Sequence, residues 1–224
     1  MKTVGILGGM GPEATILLMQ RLLRAVPARD DADHIPLIVH QNPAVPSRII
    51  RLIDGLGDDP GPVLATMARD LQAAGAQALA MPCNTAHAYA AQIIGATPLP
   101  FLDMRAATVA VLPRGRVGML ASPAVRLSGA FDIAFDSAGI EPVWPQDDGP
   151  VLALIRRVKT GETGPEAMAE MARLAVQMAG QSDHLLVACT ELSLLNGAIR
   201  PPFTDSLDCL VGAITGFARG QTPG

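Results

Sequence analysis

Two short segments carry the same chemistry. Met81-Pro82-Cys83-Asn84-Thr85 and Ala188-Cys189-Thr190-Glu191 each end an apolar run on a cysteine, and polar residues follow it. A thiol where a strand turns into a helix is expected to have a lowered pKa, because the helix dipole and free N–H groups favour thiolate. The same N–H groups can grip an anionic substrate group. Two such thiols on opposite sides of one carbon would perform a stereoinverting proton transfer. One thiolate removes the α-proton, and the opposite thiol delivers a proton to the other face. A single base would tend to return the proton to the side it came from. General acid–base assistance is worth about 10²–10⁴-fold, and each preorganised donor on the developing enolate about 3 kcal/mol. The competing reading makes each cysteine a small buried hydrophobe. That reading suits Cys209, which sits in an apolar helical pattern with Leu210, Val211 and Ile214. The matched context of Cys83 and Cys189 favours chemistry instead.

Cations follow at two places. Arg48 ends the segment Gln41-Asn42-Pro43-Ala44-Val45-Pro46-Ser47, whose prolines restrict the backbone and could aim a bidentate carboxylate fork. Lys159 closes a helical stretch beside Arg156 and Arg157, where cations also complement the helix dipole.

The elements that must hold these groups alternate. Residues 3–7 predict a buried strand, residues 8–11 a glycine turn, and Pro12 a helix start with Glu13 in its first turn. Residues 35–40 predict a second strand, 62–74 a helix, 76–81 a strand and 84–94 a helix. The succession restarts at Arg116, with a strand at 117–121, helical residues up to Gly139 and a strand at 142–144. Helices at 151–159 and 165–178 and a strand at 184–188 follow. Val4-Gly5-Ile6-Leu7 corresponds to Val117-Gly118-Met119-Leu120, and the two cysteine segments correspond as well. Buried strands alternating with helices imply parallel sheets covered by helices. The expected fold is α/β. It has two similar Rossmann-like lobes with parallel four-stranded sheets, related by a pseudo-twofold axis, with the site in the cleft between them. Residues 1–114 together with 207–224 are assigned to the first lobe and 115–206 to the second.

Composition narrows the function. The chain has 224 residues, a net charge of -4 and 3% aromatic residues, which argues against nucleic-acid binding by a basic field or a stacking platform. Hydrophobic residues make up 49% and charged residues 17%, a globular balance. No uninterrupted apolar run approaches the roughly 18 residues of a membrane helix, so no membrane partner is expected. The apolar start is broken by Gly8-Gly9 and soon followed by Glu13, and is taken as a strand rather than a signal peptide. Three cysteines, an odd number, suit free thiols in a reducing cytoplasm.

Gly5-Ile6-Leu7-Gly8-Gly9-Met10-Gly11-Pro12-Glu13-Ala14-Thr15, Asn42-Pro43-Ala44-Val45-Pro46-Ser47-Arg48, Met81-Pro82-Cys83-Asn84-Thr85-Ala86-His87 and Ala188-Cys189-Thr190-Glu191-Leu192 together resemble the aspartate/glutamate racemase family. The resemblance also takes in Leu102-Asp103-Met104 and Thr204-Asp205-Ser206-Leu207. It implies racemisation of an acidic amino acid without pyridoxal phosphate or metal, in a cytoplasmic homodimer. It matches Cys83 and Cys189 to the two acid/base cysteines. Asn84, Thr85 and Thr190 match positions that hold the α-amino and α-carboxylate groups or orient the thiols. Glu191 matches a polar neighbour of the second cysteine, and Met10 a position in the first loop that lines the site. Arg48 and Lys159 match the cations for the side-chain carboxylate. Ser122, in Ala121-Ser122-Pro123-Ala124-Val125, replaces one hydroxyl of a turn that often reads Ala-Thr-x-x-Thr in the family. The second hydroxyl is missing, a departure that bears on the substrate side chain.

Other signals are weaker. Gly9-Met10-Gly11-Pro12-Glu13-Ala14 loosely fits a dinucleotide fingerprint, but Gln41-Asn42 stands where an acidic residue is expected. A tight turn packing strand on helix accounts for it. Cys83 and His87 have i,i+4 spacing without a further ligand set, so no metal is expected. Rival readings are a cofactor-free isomerase or decarboxylase acting on a small dicarboxylate or hydantoin, and a silent carboxylate-binding protein.

Overall fold

The structure, a computed structural model, describes residues 1–221; residues 222–224, assigned above to the first lobe, lie outside it. Strand β1 (Val4–Gly8) passes through a glycine turn into α1 (Pro12–Ala25). Then come β2 (Leu37–Gln41), α2 (Arg48–Ile53), α3 (Gly61–Ala73), β3 (Ala78–Ala80), α4 (Ala90–Ala96), β4 (Phe101–Leu102) and α5 (Met104–Val109). The second series is β5 (Gly115–Leu120), α6 (Pro123–Leu127), α7 (Asp132–Ala138), β6 (Ile140–Val143), α8 (Gly149–Lys159), α9 (Pro165–Ala179), β7 (His184–Val187), β8 (Phe203–Asp205) and α10 (Ser206–Ala218).

The strands form two four-stranded sheets, parallel throughout, ordered β2-β1-β3-β4 and β6-β5-β7-β8. Equivalent strands therefore occupy equivalent places, as the internal echo implies. The sheets are buried because both faces are covered. In the first, Val4, Ile6, Ala78 and Ala80 pack under α1 and α10, while Leu7, Leu79 and Met81 pack under α3 and α4. In the second, Leu120, Leu185 and Val187 meet α8 and α9, and Val117, Met119 and Leu186 meet Phe131 and Phe135. Side chains alternate between the two cores with the period of a strand.

The glycine turn after β1 is a packing device. Gly9 has φ 93°, and a Cβ there would come within 2.5 Å of the Asn42 backbone. Its N–H donates to Thr15 Oγ1 at 3.0 Å, which fastens the turn to α1. Three local expectations change. Residues 84–94 are not one helix. A 3₁₀ segment, Thr85–Tyr89, precedes α4, because the chain leaves β3 through tight turns with i to i+3 bonds such as His87 N–H to Asn84 O. The helix expected up to Gly139 breaks at Gly129, whose φ of 61° cannot continue an α-helix. Arg48 opens α2 rather than ending a loop, with the Ser47 hydroxyl accepting from Ile50 N–H at 3.3 Å.

The chain crosses back at the end of β8, and α10 packs on α1 and α5. Asp205 secures the crossing. Its carboxylate caps α10 at Leu207 N–H (2.9 Å) and accepts from the Ser193 hydroxyl (2.7 Å), Asn196 (3.2 Å) and Arg21 (2.7 Å). Arg21, from α1, also donates to the Ser193 carbonyl at 2.8 Å. The Asp205 side chain is fully buried. Among the described residues no helix is long and apolar enough to cross a membrane. Arg21→Met is expected to destabilise the fold by roughly 3 kcal/mol in urea unfolding, because a buried carboxylate loses its cation. An unchanged midpoint would show that the three neutral donors suffice.

Candidate active site

In parallel α/β sheets the carboxyl ends of the strands collect functional groups. Here the two central strands of each sheet do so. Met10 lies just past β1, Cys83 past β3, Ser122 past β5 and Cys189 past β7. All four line one cavity of about 250 Å³, shared with Thr85, Arg48, Lys159 and Glu191. The second series thus supplies Cys189 and the first Cys83, and both residues line the same space. Ser47, Ile49, Ile50, Asp54, Ile155 and Arg156 complete the lining. Sequence reading did not single these out for the site. Only the i, i+3 relation of Arg156 to Lys159 on α8 hinted at a shared face. Larger grooves of about 800 Å³ run along α10, away from both cysteines.

Asn84 and Thr190 do not line this cavity. The Asn84 amide donates to the Ser206 hydroxyl at 2.8 Å, and the Thr190 hydroxyl donates to the Pro82 carbonyl at 3.1 Å. Ser122 caps α6 by accepting from Ala124 N–H at 3.3 Å. The Arg48 Nη1 is spent on the Val45 and Pro46 carbonyls, at 3.2 and 3.0 Å, which orients the guanidinium. The buried Arg48 Nε has no partner among the described residues.

The environment of Cys189 overturns the expected low pKa. Its thiol donates to Glu191 Oε2 at 3.1 Å, and Glu191 Oε1 meets Lys159 Nζ at 2.5 Å. Burial pushes the Cys189 thiol well above its ordinary value, and the Glu191 carboxylate adds to the rise; Lys159 opposes them without prevailing. The following helix is a 3₁₀ segment, Leu192–Ala198, rather than an α-helix N-terminus with a strong dipole. Burial works against the Lys159 ammonium, but Glu191 outweighs it and raises that pKa. The resting arrangement is a neutral thiol, a carboxylate and an ammonium. Cys209 is only part-buried and lines the large α10 groove, and burial lifts its thiol to about 11.

The Cys83 turn is held differently. Cys83 N–H donates to the Met81 carbonyl at 2.9 Å, closing a three-residue turn centred on Pro82. The Cys83 carbonyl meets His87 Nδ1 at 2.8 Å, and Met104 N–H meets His87 Nε2 at 3.3 Å. A carbonyl can only accept and an N–H only donate, so the proton is on Nδ1 and the ring is neutral. Burial drives the His87 pKa down to about 4.

Two four-stranded parallel sheets with a cavity lined by a cysteine from each series define a two-lobe α/β protein. The Asp/Glu/Hydantoin racemase family model matches residues 7–214, and the chain belongs to that family. It is 26% identical over 220 residues to the broad specificity amino-acid racemase RacX of Bacillus subtilis (strain 168), covering 92% of this chain and 94% of that protein. The structure of Picrophilus torridus aspartate racemase superposes with a TM-score of 0.89 at 28% identity, covering 100% of this chain and 96% of that one. Glutamate racemase from Francisella tularensis subsp. tularensis SCHU S4, solved with D-glutamate, shares the fold. Its TM-score is 0.69 at 16% identity, with 98% of this chain and 81% of that one covered.

Two measurements check the electrostatics. Glu191→Gln removes the charge that helps raise the Cys189 pKa and leaves Lys159 unneutralised. The thiolate absorbance missing from a Cys189→Ser control should then appear at lower pH than in the wild type, and an upward shift would contradict the assignment. For His87 the folded pKa lies below the ordinary 6.5. Between those values the unfolded chain binds the extra proton, so stability falls as pH drops through 6.5 towards 4. The loss reaches at most about 3 kcal/mol. His87→Gln should flatten that part of the unfolding profile.

Proposed function

We propose that this chain racemises an acidic α-amino acid, aspartate first and glutamate second, by cofactor-independent proton transfer between Cys83 and Cys189. The observation that carries the reading is the single cavity lined by both cysteines, one from each series of elements. Its volume, about 250 Å³, suits a small amino acid. Arg48, Arg156 and Lys159 outnumber Asp54 and Glu191 there, which favours a substrate of net negative charge.

With Cys189 resting as a thiol, the first half-reaction that suits this state uses Cys83 as the thiolate base. Cys83 S⁻ takes the α-proton and becomes a thiol. The carbanion, delocalised into the α-carboxylate, takes the Cys189 proton on its opposite face, which leaves Cys189 S⁻. That state is poised for the other enantiomer. Glu191 Oε2, at 3.1 Å from Cys189 Sγ, is the adjacent group able to exchange a proton with it. Thr85 N–H and Oγ1 are suited to the α-carboxylate, and Ser122 and Met10 to the wall of the site. Arg48 offers its unpartnered Nε–H to the distal carboxylate. Lys159 is neutralised by Glu191, so its role runs through Glu191 until a substrate carboxylate competes for it. The lobe division at 114/115 and 206/207, a homodimeric state and a cytoplasmic location belong to the same reading.

Incubation of L-aspartate in D₂O with the enzyme is expected to give D-aspartate deuterated at Cα. Cys83→Ser and Cys189→Ser should each lower racemisation by at least about 10²-fold while leaving circular dichroism unchanged. Normal turnover in either variant, or neither exchange nor inversion across a broad panel of amino acids, would sink the proposal.

A further inference from the structure

Two of the polar residues beside the cysteines, Asn84 and Thr190, spend their donors on the protein. Thr190 is 1% exposed, and its hydroxyl reaches the Pro82 carbonyl at 3.1 Å. Pro82 is the centre of the turn closed by Cys83 N–H and the Met81 carbonyl, a place that suits the fixed φ of proline. The closing bond uses the carbonyl before Pro82, so the Pro82 carbonyl itself needs another partner inside the protein. The hydroxyl of the residue after Cys189 therefore fastens the residue before Cys83. Other cross-links between the two series, among them Asn84 to the Ser206 hydroxyl (2.8 Å), Arg105 to the Ala130 carbonyl (3.2 Å) and Arg21 to the Ser193 carbonyl (2.8 Å), do not join one cysteine turn to the other.

We infer that Thr190 is a positioning residue whose hydrogen bond to Pro82 couples the two cysteine turns and sets the span between the sulfurs. The inference rests on the two-thiol reading and assigns Thr190 to the protein scaffold rather than to the substrate. The span matters because both sulfurs must address one carbon from opposite sides. A lobe shift that brings one closer carries the other away. His87 holds the far side of the same turn through the Cys83 carbonyl, so loss of the Thr190 bond would let the turn pivot about that anchor.

The test compares Thr190→Val, which keeps the shape and removes the hydroxyl, with Thr190→Ser, which keeps the hydroxyl. Racemisation is followed with the fastest substrate of the panel and with its α-deuterated form. Thr190→Val is expected to lower kcat by about 100-fold with KM changed by less than about threefold, since misplacing reacting groups by about 1 Å costs rate rather than ground-state binding. Its α-deuterium isotope effect on kcat should be at least as large as in the wild type, and Thr190→Ser should recover most of the rate. If the valine variant does not fold, Thr190→Ala reads the same loss. A KM increase with kcat intact would mean that the hydroxyl grips substrate, and would overturn the inference. So would a serine variant as poor as the valine variant, or a valine variant as fast as the wild type. Full activity in Cys83→Ser or Cys189→Ser defeats the two-thiol reading itself. Inactive cysteine variants beside an unaffected Thr190→Val defeat only the coupling.

Discussion

Inversion at a carbon needs groups on both of its faces, and no single helix or strand can supply both. The fold meets that constraint with two parallel sheets of identical strand order. A parallel sheet sends all its carboxyl ends to one edge, and the central strands there are flanked on both sides. Placing two such edges around one cavity brings β1, β3, β5 and β7 together at their ends. The residues just beyond those strands, Met10, Cys83, Ser122 and Cys189, then share a space although they come from widely separated parts of the chain.

The repeat stops at the backbone. The turn of Cys83 is anchored by a neutral, buried histidine and by proline, and its surroundings are largely those of a rigid clamp. The turn of Cys189 carries a carboxylate in contact with its thiol, and an ammonium paired with that carboxylate. Equivalent positions in the two lobes hold Thr85 and Glu191, so an echo in topology coexists with a difference in charge. On the proposed reaction that difference assigns the resting proton to one sulfur. It also gives Lys159 two competing partners, the internal carboxylate and an incoming one.

The same economy of contacts explains why the lobes keep their relation. Arg21 and Asp205 sit where α10 leaves the second sheet and returns to the first lobe. Their pairing is buried and supported by neutral donors, so it has few cheap alternatives. Thr190 and Pro82 make the corresponding link at the site. One bond set holds the frame, and the other lies where an error of an ångström would be felt.

Much of this was legible in the residues. Apolar runs such as 4–8 and 184–187, punctuated by Gly8-Gly9 and followed by helix-start signals, specify buried parallel strands by local patterning. Two cysteines in matched segments identify the pair worth examining. What local pattern cannot encode is the environment that distant segments build. Helix-dipole logic assigned Cys189 a low pKa, but its burial and the charge of Glu191 raise it instead, against the opposing pull of Lys159. Asn84 and Thr190 resemble substrate ligands in sequence and spend their donors on Ser206 and Pro82. Arg156 and Asp54 belong to the cavity although no motif marks them. Secondary structure follows from interactions a few residues long, whereas the proton affinity of Cys189 depends on its burial by the packed fold, and the hydrogen bonds of Asn84 and Thr190 end on residues more than a hundred positions away, which only the packed lobes bring within reach.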